Sequence, residues 1–62
     1  MAETCTEYFD RIDYETDDAY LFKIIDDSRD YWLPKSQIIV NELSNGYEVE
    51  LPVWLAEQKA LI

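Results

Sequence analysis

The 62-residue sequence has no histidine, one cysteine, one glycine, two prolines and only five lysines and arginines. Lacking histidine, the chain has neither the commonest zinc ligand nor the commonest general base. Cys5 stands alone, so no internal disulfide forms. A chain of this length draws roughly 3–5 kcal/mol of net stability from its core, and here no bridge or zinc site supplements it. The scarcity of glycine and proline argues against a disordered or low-complexity segment. No run approaches the ~20 apolar residues that span a bilayer, and Glu3 and Glu7 stand where an export signal carries positive charge. One soluble domain, residues 1–62, in a reducing cytoplasm is the expectation.

What the chain does have is aromatic and acidic. Nine aromatics, Trp32 and Trp54 among them, can each bury about 150–250 Å². Tyr20, Phe22, Trp32, Tyr47 and Trp54 are the expected core, with Tyr8, Tyr14 or Tyr31 left at the rim as interface anchors. Fourteen acids against five bases give a net charge of −9. The first thirty residues hold ten acids and three bases, and the remainder four acids and two bases. Such a balance repels phosphates, excluding direct binding to nucleic acid or to an anionic membrane, and favours a basic partner. Solubility alone would also explain a negative charge, although a magnitude of ~2–8 is ordinarily enough.

Turn signals divide the chain. Thr6–Tyr14 alternates as one strand with Tyr8, Ile12 and Tyr14 on one face, interrupted by Asp10. Residues 15–18 read as a turn, 19–25 as a central strand, 26–30 as a second turn and 31–33 as a short strand. Pro34 ends that strand, and 34–37 make a turn before Ile38–Val40. Asn45-Gly46 is the strongest turn signal in the sequence, because both residues tolerate positive φ. Tyr47, Val49 and Leu51 alternate with Glu48 and Glu50, and Pro52 opens a helix running to Leu61 along a face of Trp54, Leu55, Gln58 and Leu61. The expected fold is α+β: a small antiparallel sheet or partly open barrel of about four strands, with one C-terminal helix.

Catalytic constellations are weak. Ser28, Ser36 and Ser44 lack a histidine base, and Lys35 beside Ser36 is not a dyad by adjacency alone. Cys5, near a frayed terminus with acids at Glu3 and Glu7, has its pKa raised and its nucleophilicity blunted. Asp26, Ser28 and Asp30 take the first, third and fifth places of a calcium loop, but Tyr31 and Gln37 occupy the places of its glycine and glutamate. No enzyme, metal or cofactor is expected.

The carboxylates carry a sharper expectation. A globule of this length has a radius of gyration of roughly 11 Å and a diameter of about 27 Å, a length of B-DNA bearing about sixteen charges. Carboxylates at i and i+2 on a strand lie ~6.7 Å apart, near the spacing of successive phosphates. Asp13 with Glu15, or Glu48 with Glu50, imitate such a run, and Asp10, Asp17, Asp18, Asp26, Asp27 and Asp30 extend the field at strand ends. The expected partner-binding set is Asp10, Asp13, Glu15, Asp17, Asp18, Asp26, Asp27 and Asp30, meeting Arg and Lys of the partner.

Trp32-Leu33-Pro34-Lys35-Ser36, followed by Leu51-Pro52-Val53-Trp54-Leu55-Ala56-Glu57 and Leu61-Ile62, resembles a recurrent type of small phage and prophage protein. Those proteins carry a Trp-(Ile/Leu)-Pro-Lys-Ser element and a Trp-(Ile/Leu)-Ala-x-Lys-Lys-Gly-Leu tail, and the resemblance covers residues 19–62. Gln58 and Ala60 depart from its Lys and Gly, so the helix is expected to continue where relatives cap it. The Trp-Pro-Lys-Ser element reads as structural: a core Trp, a strand-ending Pro and a turn-capping Ser. The resemblance implies a phage setting, where small acidic proteins include anti-CRISPR inhibitors that mimic DNA. The leading expectation is therefore a DNA-mimicking, anti-CRISPR-like inhibitor that binds a basic surface of a host nucleic-acid-binding complex. The alternative is a non-mimetic protein-interaction module binding through an aromatic or apolar patch.

Overall fold

A computed structural model describes residues 3–62. Its strands are β1 (Thr4–Phe9), β2 (Arg11–Glu15), β3 (Ala19–Lys23), β4 (Tyr31–Pro34), β5 (Ile39–Leu43) and β6 (Gly46–Pro52). A 3-10 turn spans Lys35–Gln37, and helix α1 (Val53–Gln58) follows β6. The strands form two three-stranded antiparallel sheets, ordered β1-β6-β5 and β2-β3-β4. Their inner faces share one core. Phe9, Val49 and Leu51 come from the first sheet and Phe22, Tyr31 and Leu33 from the second, with Leu55 and Ala56 of α1 also buried. Phe9 touches both sides, its ring centroid 4.7 Å from Phe22 and 5.6 Å from Tyr31. The radius of gyration is 10.9 Å, as the chain length predicts.

The antiparallel strands and the C-terminal helix hold, but the protein is mostly β, with six strands in two sheets rather than about four in one sheet or barrel. The expected strand Thr6–Tyr14 breaks at Asp10. There the backbone N–H donates to the Lys23 carbonyl at 3.0 Å, and the carboxylate accepts the Ile25 N–H. Asp10 is thus the corner where the chain leaves one sheet and enters the other, which explains a polar residue in an apolar position. A bulge at Asp13 then shifts the register between Ile12 and Tyr14. Ile12 therefore packs against the core, while Tyr8 and Tyr14 point outward.

Both tryptophans are expected inside, yet neither belongs to the buried core: Trp32 is 38% exposed and Trp54 52%. Strand alternation forces a choice in β4: either Trp32 faces the core, or Tyr31 and Leu33 do. Two residues outweigh one. Tyr31 is buried at little polar cost because its hydroxyl donates to Asp27 Oδ2 at 2.7 Å. In α1 only Leu55 and Ala56 are fully buried.

The helix also ends earlier than expected. Ala60 takes φ 59°, its N–H donates to the Glu57 carbonyl (3.1 Å), and the Leu61 N–H reaches back to Ala56 (2.8 Å). This is a Schellman cap with alanine in the position that favours glycine.

At the β5–β6 hairpin, Leu43 pairs with Gly46, so Ser44 and Asn45 form the loop. Asn45 does not take positive φ. Gly46 is needed for space: a Cβ there would lie 2.6 Å from the Phe9 carbonyl oxygen. Ser36 makes no capping bond at the 3-10 turn. Thr16 supplies the side-chain turn bond instead, its Oγ1 accepting from the Ala19 N–H at 3.0 Å.

Candidate partner-binding surfaces

The fold does not gather the eight expected carboxylates. Asp13, in the bulge, pairs with Arg11, and that hydrogen bond holds its pKa down. Glu15 pairs with Lys35 at 2.6 Å and Asp30 with Lys23 at 2.9 Å. Asp27 pairs with Arg29 at 3.0 Å and also accepts from the Arg29 backbone and Tyr31, bonds that together hold it far below the usual carboxylate range. Asp10 is occupied at the corner by the Ile25 N–H. Among the described residues, Asp17, Asp18 and Asp26 make no ion pair.

Position separates them further. Asp17 and Asp18 lie in the β2–β3 turn, where the Asp18 carbonyl accepts the Lys35 N–H at 2.7 Å. Asp10 and the 26–30 loop lie at the opposite end of β3, about 16 Å away by strand rise. Neither does the lopsided charge of the linear sequence persist in space. Residues 10–38, which contain the β2-β3-β4 sheet, hold eight acids and four bases. The rest of the chain, with β1, β5, β6 and α1, holds six acids and one base. The net charges are −4 and −5. All four ion pairs fall in the first group.

The outer faces of the two sheets differ in chemistry. On β2-β3-β4, cross-strand pairing aligns Tyr14, Leu21 and Trp32 in one row. Tyr14 is 62% exposed, and its ring meets Trp32 edge-on at 6.2 Å between centroids. The next outward pair, Arg11 opposite Lys23, is neutralised by Asp13 and Asp30. Lys23 also donates to the Ser28 and Arg29 carbonyls, tying the 24–30 loop to β3. The row is therefore apolar and charge-balanced. No local sequence pattern marks it; it follows only from the β2–β3 register after the bulge.

On β1-β6-β5 the outer rows are Tyr8–Glu48–Asn41 and Thr6–Glu50–Ile39. Tyr8, Ile39 and Leu43 are exposed, and neither glutamate is ion-paired among the described residues.

All four sheet edges carry features that oppose strand addition. Glu7 of β1 and Glu42 of β5 lie on the core-facing side of their strands, in register with Val49 and Tyr47. β2 has its bulge, and β4 is four residues long and ends in Pro34. Inward charges, bulges and prolines are the usual means of blocking edges.

Cys5 is not at a frayed end. It sits in β1 opposite Leu51, half-buried, and burial followed by Glu7 pushes its thiol pKa up. The Trp-Leu-Pro-Lys-Ser element contributes Leu33 to the core and Lys35 as a tie, its ammonium paired with Glu15 and 4.7 Å from the centre of the Tyr20 ring. Among the described residues, no three His, Cys, Asp or Glu side chains group as metal ligands, and no helix is long and apolar enough to cross a membrane. No protein-family model, curated protein or solved structure matches the chain.

Proposed function

We propose that this protein is a non-enzymatic binding module that holds a partner protein against the outer face of β2-β3-β4, with Tyr14, Leu21 and Trp32 as the contact. The carrying observation is that row: two exposed aromatics and a leucine side by side, next to charges that neutralise one another. Aromatic anchors within a polar rim are the composition that dominates binding energy at protein interfaces. The surrounding carboxylates favour a basic partner, and the resemblance of residues 19–62 to small phage proteins supports a partner in a host bacterial cytoplasm.

The DNA-mimicking, anti-CRISPR-like inhibitor is the second reading. It is supported by Glu48 and Glu50, which share one outward face without a base, and by Asp17, Asp18 and Asp26, which have no ion pair. The ion-paired state of Asp13, Glu15, Asp27 and Asp30 ranks it below the first.

Affinity capture from a bacterial lysate at low and high salt, with two folded variants, separates the readings. Tyr14→Ala/Trp32→Ala should lose the partner at both salt concentrations. Asp17→Asn/Asp18→Asn/Asp26→Asn should retain it. The opposite pattern, with capture abolished by salt, would establish the mimic instead.

A further inference from the structure

The two rows on the outer face of β1-β6-β5 have a geometry of their own. Glu48 and Glu50 stand at i and i+2 on the central strand, flanked by Tyr8 and Thr6 on one side and by Asn41 and Ile39 on the other. Tyr8 is 62% exposed and Ile39 59%. We infer that this face docks a cationic amphipathic helix from a partner, lying along β6 with Lys or Arg at i and i+4 over Glu50 and Glu48 and apolar side chains over Tyr8 and Ile39.

Three observations lead to that occupant. A segment on a sheet face receives no backbone hydrogen bonds from it, so it must satisfy its own, which a helix does. The alternative, an added strand, meets Glu7 or Glu42 at the edges of this sheet. Four residues of helix rise about 6.0 Å and two residues of strand about 6.7 Å, so cations one helical turn apart match the two carboxylates. Three strands span about 10 Å, the width of one helix. Charge selects the partner over a second copy of this chain. Two such faces would bring four carboxylates together on molecules of net charge −9. This surface is separate from the Tyr14–Leu21–Trp32 row, and the inference does not depend on that row binding anything.

The test is amide-shift mapping of the isotope-labelled chain with two 18-residue peptides of identical Leu, Ala and Lys composition. One carries Lys at i and i+4 along the centre of its apolar stripe, and the other carries all its Lys on the opposite face. The first should bind more tightly and shift Thr6, Tyr8, Ile39, Asn41, Glu48 and Glu50. Glu48→Gln/Glu50→Gln should weaken it about fivefold to tenfold, with the rest of the amide spectrum unchanged. Raising salt to 0.5 M should weaken it comparably, and Tyr14→Ala/Trp32→Ala should leave it unaltered. Equal binding of the two peptides would overturn the inference, as would no binding or shifts centred on Asp17–Asp18 or Trp32. Self-association through this face in sedimentation would assign it to a second copy and overturn it equally.

Discussion

The Tyr31 hydroxyl donates to Asp27 at 2.7 Å, joining a fully buried ring to an acid four residues earlier in the loop. Asp27 also accepts the Arg29 backbone N–H at 2.9 Å and faces the Arg29 guanidinium, itself 5.2 Å from the centre of the Tyr31 ring. The β3–β4 loop is thereby fixed to the core by one carboxylate. Tyr31→Phe should lower stability by about 0.5–1.5 kcal/mol in urea unfolding, since it removes one hydrogen bond and keeps the ring.

The same carboxylate predicts a pH effect of defined sign. Its folded pKa is depressed, chiefly by the bonds to Arg29 and then by Tyr31. Its stabilisation is therefore complete above the ordinary aspartate value of about 4 and lost as pH falls below it. The stability difference between the parent chain and Asp27→Asn should be steady from pH 7 to 5 and shrink between pH 4 and 2. A difference constant over that whole range would exclude this role.

Ala60 sits at φ 59° in the cap of α1. Glycine adopts that conformation freely, whereas alanine meets a Cβ penalty. Ala60→Gly should therefore stabilise the protein by about 0.5–1 kcal/mol, seen as a melting temperature a few degrees higher.

Gly46 responds in the opposite direction. A methyl group there would press on the Phe9 carbonyl oxygen, a backbone atom at the corner between the sheets. Gly46→Ala should cost about 1–3 kcal/mol, with the largest amide-shift changes at Phe9 and Asp10.

Leu33 and Trp32 make a paired test of the β4 orientation. Leu33 is fully buried, so Leu33→Ala should cost about 2–5 kcal/mol. Trp32→Ala removes the larger side chain but should cost only about 1–2 kcal/mol, because much of it already faces solvent. Calorimetric melting of the two variants gives the order directly, and a costlier Trp32 would reverse the assignment of faces.

The sequence made most of the elements legible because their punctuation is local: Pro34, Pro52 and the polar runs at 15–18 and 26–30 mark ends by backbone chemistry alone. The charge alternation of β6 likewise gave its inner and outer faces. What it hid depends on partners distant in the chain. Asp10 looked like a flaw in one strand because the sheets it separates are defined by pairing with Lys23 and Tyr47, not by its neighbours. The bulge at Asp13 reversed the face of Tyr14, and with it created the exposed Tyr14–Leu21–Trp32 row. The acid-rich first thirty residues suggested a single anionic patch. In space Glu7 belongs to the other sheet, the acids of residues 10–30 are spread along β2 and both ends of β3, and four of them are ion-paired with neighbouring bases.

Thr4 lies opposite Pro52, forty-eight positions further along the chain. The β2-β3-β4 sheet needs only residues 11–34, joined by a three-residue turn and a seven-residue loop, so its pairings are all of short sequence separation. The other sheet closes only when its middle strand, β6, pairs with β1 far upstream as well as with β5. Folding of the molecule thus turns on one long-range closure, and a chain cut short before Tyr47 would lose Val49, Leu51 and Leu55 from the shared core and leave Phe9 and the edge of β1 uncovered.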